Sequence, residues 1–182
     1  MQPLFLLSPL LFGFLAVAAW RDMKEHRIPN TVTAAGIIAA LACSIMLPSG
    51  IGWMQSLAGL AVGFGVLFPL YLLRAMGAGD VKLMAMVGAF LGPVDGLGAI
   101  LSTLVMGGVL AVAVALRRGA MRHVLENLRA MWLTAAIRVQ IPGMDLPEIA
   151  QPTAAKLPYG LAIAAGTMLY VAFRVAGWGG FL

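Results

Sequence analysis

Of 182 residues, 62% are hydrophobic and 10% are charged, with a formal charge of +5 and a mean hydropathy of +0.96. Soluble domains carry roughly 25% charged residues, so the composition excludes a soluble globular protein and identifies an integral membrane protein, read as one domain over 1–182. The single cysteine, Cys43, falls inside an apolar run, which leaves neither a disulfide framework nor a cysteine zinc site.

Six apolar runs predict six transmembrane helices: Leu4 to Trp20, Thr31 to Leu47, Trp53 to Leu73, Val81 to Leu91, Leu97 to Leu116 and Leu157 to Ala176. The first run is expected to be retained. Ala16-Val17-Ala18 has the small residues of a cleavage site, but Met1 to Ser8 lacks the basic start of a signal peptide. On the third run, Gly59 and Gly63 form a small-xxx-small pair suited to close helix packing. The fourth run is shorter than the ~20 residues a crossing needs. It crosses only if the Gly77 to Asp80 stretch lies within the membrane and Gly92-Pro93 turns the chain directly into the fifth.

Between the last two runs, residues 117–156 are more polar. Met121, Val124, Leu125, Leu128, Met131, Trp132 and Leu133 recur at helical spacing among Arg117, Arg118, Arg122 and Arg129. That pattern predicts an amphipathic helix on an anionic inner surface, followed by a loop over Ile141 to Pro158. Backbone polar groups in lipid must be satisfied internally, so the expected fold class is an all-α membrane bundle of about six helices.

Basic residues set the orientation. With Arg21 to Asn30, Arg74 to Asp80 and Arg117 to Lys156 on the cytoplasmic side, and Lys82 just inside the fourth run, 11 of 12 basic residues lie at one face and Arg174 alone lies at the other. The net charge is therefore topological, and no nucleic-acid partner is expected; the partner it implies is the lipid bilayer.

The same orientation places two acids together. Asp80 stands directly before the fourth run, and Asp22 stands at the exit of the first. A carboxylate at membrane level costs roughly 2.5–3.5 kcal/mol at a helix centre and marks a candidate functional site. Two carboxylates around one water do not both ionise easily. The ionised one can take a proton from the water while the protonated one polarises a peptide carbonyl, which is aspartic-protease chemistry. Gly77 and Gly79 permit positive φ and carry no side chain, so a substrate strand or the opposing acid can approach the backbone there. Each acid also has an ordinary reading: Asp80 as the N-cap of the fourth helix, and Asp22 as a counter-charge to Arg21 and Lys24 in a solvated loop.

Other chemistries find less support. His26 and His123 have no HExxH or cysteine partners, so no metal is implied. The serines Ser8, Ser44, Ser49, Ser56 and Ser102 lack a GxSxG setting. No Gly-Lys-Ser/Thr follows the glycine stretch, so it is not a nucleotide loop, and no cofactor is expected.

Gly77-Ala78-Gly79-Asp80-Val81-Lys82 resembles the GxGDxK signature of the type IV prepilin peptidases, membrane aspartyl proteases of the GxGD class. Asp22 followed by Arg27-Ile28-Pro29-Asn30 resembles the family's first-aspartate segment, and Pro158-Tyr159-Gly160 resembles the opening of its last helix. The three motifs occur in the family's order. The resemblance implies Asp22 and Asp80 as the catalytic pair, with Gly77, Gly79, Lys82, Pro29, Asn30, Pro158, Tyr159 and Gly160 around them. Lys82 is expected either to bias Asp80 electrostatically or to snorkel to the interface.

The implied substrate is a prepilin or pilin-like precursor, cut between its short basic leader and its apolar helix at the cytoplasmic face of the bacterial inner membrane. Paired CxxC motifs, which accompany methyltransferase activity in larger members, are not present in this sequence. The chain therefore resembles the short members that serve Flp, or tight-adherence, pili, and methylation is not expected. Oligomeric state is left open. The alternative from a different class is a small transporter or channel with Asp22 and Asp80 as proton or cation ligands, although no internal repeat accompanies them.

Overall fold

The computed structural model describes residues 2–25, 27–47, 50–73, 76–119 and 159–176, with 121–122, 124–126 and 129. Among the described residues the regular structure is all helical: α1 (Gln2–Glu25), α2 (Asn30–Met46), α3 (Trp53–Leu72), α4 (Ala78–Arg117) and α5 (Tyr159–Val175). Helix α4 is broken at Gly92, whose φ of 83° and ψ of 177° leave the helical region. Such a φ suits glycine, which has no Cβ to clash, and Pro93 then opens the next stretch with its preset φ. The two arms of α4, 78–91 and 93–117, carry the predicted fourth and fifth runs, and each of the six runs has a helix among its described residues. Helices α3 and α4 are long and apolar enough to cross a membrane, and α2 and α5 are shorter apolar helices.

The chain divides into two units, residues 1–107 with 158–182, and residues 108–157. In the second, α4 ends at Arg117, and Gly119 at φ 63° closes it in the left-handed conformation common past helix ends. Its N–H donates to the Leu116 carbonyl at 3.1 Å. Residues 121–122, 124–126 and 129 are helical. The rest of that segment, the loop over Ile141 to Pro158 and both histidines lie outside the described residues.

In the first unit, the first arm of α4 is the core. Val81, Leu83, Met84, Ala85, Met86, Val87, Ala89, Phe90 and Leu91 are all buried. A helix that is apolar all round needs neighbours on every side, and α1, α2 and α3 supply them. Phe14 of α1 meets Phe90 with ring centroids 6.3 Å apart, and Gly36 of α2 leaves room for the Met86 side chain. The Gly59/Gly63 pair of α3 lies directly on α4 backbone. A Cβ at Gly59 would run into the Gly88 carbonyl, and one at Gly63 into the Met84 carbonyl. Ser56 Oγ then donates to the Ala89 carbonyl at 2.7 Å. In lipid, such close backbone packing and interhelical hydrogen bonds hold helices together, because apolar burial alone supplies little drive.

Candidate active site

Helix α1 places Asp22 through its periodicity. Leu7, Leu11, Leu15, Ala18 and Asp22 follow one another at intervals of three or four, and all five are buried. This is one face of a helix, so the carboxylate is aimed where the leucines are aimed. α1 runs on past Trp20 to Glu25, and Asp22 is 7% exposed, which corrects the reading of a solvated loop. Arg21, offered in that reading as its counter-ion, pairs with Glu25 at 2.7 Å. Asp22 Oδ2 accepts the Gly160 N–H at 2.8 Å, where α5 begins.

Asp80 lies in the first turn of α4. The Asp80 and Val81 N–H groups both donate to the Gly77 carbonyl, at 3.2 and 3.4 Å, so Gly77 opens the helix. Asp80 is not the N-cap. Its Oδ2 reaches back from the third helical position to accept the Gly77 N–H at 3.2 Å, as the acid of a capping box does. The positive φ open to Gly77 and Gly79 is not used: among the described glycines, Gly52, Gly92 and Gly119 take it. What these two provide is space. A Cβ on Gly77 would stand 3.1 Å from Asp80 Oδ2, and one on Gly79 would stand 3.2 Å from Ile28 Cβ.

The two carboxylates are close enough for the charge of Asp22 to act on Asp80, and Asp80 in turn acts on Tyr159. Among the described residues neither acid forms an ion pair. Lys82 turns instead to α2, where its Nζ donates to Asn30 Oδ1 at 3.0 Å, a third role beside the two expected of it. That bond joins the entry of α2, after Pro29, to the first turn of α4. Tyr159 is half-buried, and the bare Cα of Gly107 accommodates its ring edge: a Cβ there would stand 2.8 Å from the phenol oxygen. Pro158 lies outside the described residues.

The structure thus brings Asp22, Asp80, Gly77, Gly79, Tyr159 and Gly160 to one end of the first unit, with the Asn30–Lys82 link beside them. Gly107 beside Tyr159 escapes sequence reasoning, and Ile28, quoted there only within the first-aspartate segment, lies over Gly79. Among the described residues no three His, Cys, Asp or Glu side chains cluster as a metal site would require. Two interacting carboxylates held by backbone N–H groups can divide acid and base roles around a water. Compared with known proteins, residues 9–112 match the type IV leader peptidase family, a stretch that includes Asp22 and Asp80 and stops before Tyr159. No curated protein and no solved structure matches the chain.

Proposed function

Because the chain belongs to the type IV leader peptidase family, and is thus an aspartic-type prepilin leader peptidase, we propose that Asp22 and Asp80 are its catalytic pair. The observation that carries this reading is their juxtaposition. Two acids 58 positions apart in sequence, on α1 and α4, interact electrostatically, and among the described residues no cation pairs with either. Isolated carboxylates removed from water are costly unless neutralised or paired, so an arrangement that leaves one within reach of the other's charge has a functional rationale.

In the reaction, water sits between the carboxylates. The ionised member takes its proton as the oxygen attacks the scissile carbonyl, whose own oxygen is polarised by the protonated member. Collapse of the tetrahedral intermediate breaks the C–N bond, and the leaving amine receives a proton from the pair. The products are the leader, ending in a carboxylate, and the mature pilin with a new N-terminus. Which acid starts protonated is a property of the coupled pair and not of either residue.

The setting is a helical bundle in the bacterial inner membrane with the pair at its cytoplasmic face. Large apolar side chains point outward along the helices, among them Ile38, Met46, Leu72 and Val105, each more than half exposed. Lipid is the solvent that suits them. Trp20 lies beside the Lys24 ammonium, 4.3 Å from the ring centroid, at the level of Asp22. An aromatic ring with a basic neighbour there suits a membrane–water interface. The basic residues around Asp22 and Asp80 favour the cytoplasmic side by the positive-inside rule. The finer assignment, to the short Flp or tight-adherence type, rests on the sequence resemblance alone.

The test is co-expression of an Flp-type prepilin with the wild type, Asp22→Asn or Asp80→Asn, read as a gel shift, with membrane levels of each enzyme measured. Conversion by the wild type alone is the expected result. Normal conversion by either variant makes that acid structural and returns the transporter reading.

A further inference from the structure

Gly160 is the second residue of α5, so its N–H belongs to the first turn, where the helix itself offers no acceptor. The acceptor comes from α1: Asp22 Oδ2 takes this N–H at 2.8 Å in a buried bond that spans 138 residues of chain. The fit in space is as specific as the bond. A Cβ on Gly160 would stand 2.9 Å from that same Oδ2, 3.1 Å from Asp22 Cβ and 3.2 Å from Asp22 Cγ. All three nearest atoms belong to Asp22. A side chain at position 160 could therefore be housed only by displacing the carboxylate. Ala18 and Ala19, on the same turn of α1, are themselves buried, so α1 has little room to retreat.

Gly166, further along α5, has a different neighbourhood. A Cβ there would meet the backbone of Thr103, 2.7 Å from its nitrogen, and no ionisable group. Both glycines sit at tight helix contacts, and only the one at position 160 faces a reactive group.

We propose that Gly160 is the positioning residue for Asp22. Its amide holds Oδ2, its bare Cα leaves the space the carboxylate fills, and Oδ1 is left for the water. This rests on Asp22 being one of the catalytic pair. Gly160 itself touches neither substrate nor water; it acts through Asp22.

The experiment compares Gly160→Ala, Gly166→Ala and Asp22→Asn as purified full-length enzymes in detergent, with kcat and KM measured per folded molecule on a synthetic precursor and the thermal midpoint measured in parallel. For Gly160→Ala the expected result is a kcat about 100-fold lower with KM changed less than about 3-fold, the loss typical of a reacting group misplaced by about 1 Å. Gly166→Ala is expected to lower the thermal midpoint and the yield while kcat per folded molecule stays within about 2-fold of wild type, as a packing defect does. If Gly160→Ala does not accumulate, enzyme translated in vitro with an ester in place of the 160 amide removes the N–H and adds no side chain; the same fall in kcat at constant KM is expected. An inactive Asp22→Asn together with wild-type kcat in Gly160→Ala or in the ester enzyme overturns the inference alone, as does a Gly160→Ala that behaves like Gly166→Ala. A normally active Asp22→Asn overturns both this inference and the catalytic reading beneath it.

Discussion

Three aspartates lie at partly or fully buried positions along α1 and α4, and the two ends of the bundle treat them differently. Near the Gly92 break, Asp95 Oδ1 accepts the Tyr170 hydroxyl at 2.7 Å and the Arg174 Nε–H at 2.9 Å. With side-chain exposures of 34% and 21%, the Arg174–Asp95 pair is a half-sheltered clasp between the second arm of α4 and the end of α5. At the opposite end of α5, Asp22 and Asp80 each accept, among the described residues, a single backbone N–H, from Gly160 and Gly77, and the charge of Asp22 reaches Asp80. A carboxylate supplied with a cation and a phenol is settled, and its contribution is to stability. A pair supplied, among the described residues, only with amides is the arrangement that the proposed chemistry calls for.

The contrast can be broken most sharply at the acid pair. Asp80→Asn is expected to reduce precursor cleavage by about 10³-fold or more while the thermal midpoint in detergent holds, since Asn keeps a side-chain oxygen that can accept the Gly77 N–H. A large fall in the midpoint would make Asp80 a structural residue like Asp95. Asp95→Asn should do the reverse. It removes a charge-assisted pair worth about 1–2 kcal/mol at this degree of exposure, so the midpoint should drop by several degrees while kcat per folded enzyme stays within about 3-fold. Lys82→Met tests the smaller link. Its bond to Asn30 is exposed and worth about 0.5 kcal/mol, so a modest loss of cleavage, under about 10-fold, is expected with little change in stability; a loss as large as that of Asp80→Asn would place the ammonium in the chemistry itself. The smallest effect is expected from metal removal: cleavage in the presence of a strong chelator should equal that in its absence.

The acid pair was the more legible end. Gly77 to Asp80 is a local motif before an apolar run, and its neighbours Asp22 and Tyr159-Gly160 fall in a recognisable order. The break in α4 was also readable, because Gly92-Pro93 is a local signal. What pairs across the chain was not. Lys82 reaches Asn30 across 52 residues, Asp95 meets Tyr170 across 75, and Gly160 meets Asp22 across 138. No spacing rule connects residues so far apart, and such contacts appear only when the helices assemble. The burial of Asp22 was partly encoded in the interval from Leu7 to Ala18, but composition alone could not separate the inward face of α1 from an outward one when both are apolar. The run Val81 to Leu91, weakest as a span by length, proves to be the most enclosed part of the first unit, because a helix surrounded by protein does not need the length of one facing lipid.

That enclosed arm carries a geometric consequence for where hydrolysis takes place. From 78 to 91, at ~1.5 Å per residue, it rises about 21 Å before Gly92 ends it, against about 30 Å of hydrocarbon. An arm of that length does not reach both faces of such a layer, and Asp80 stands in its first turn, at one end of it. Water then needs to reach the proposed pair only to the depth by which the arm falls short, so a precursor could be cut while its apolar helix stays in lipid.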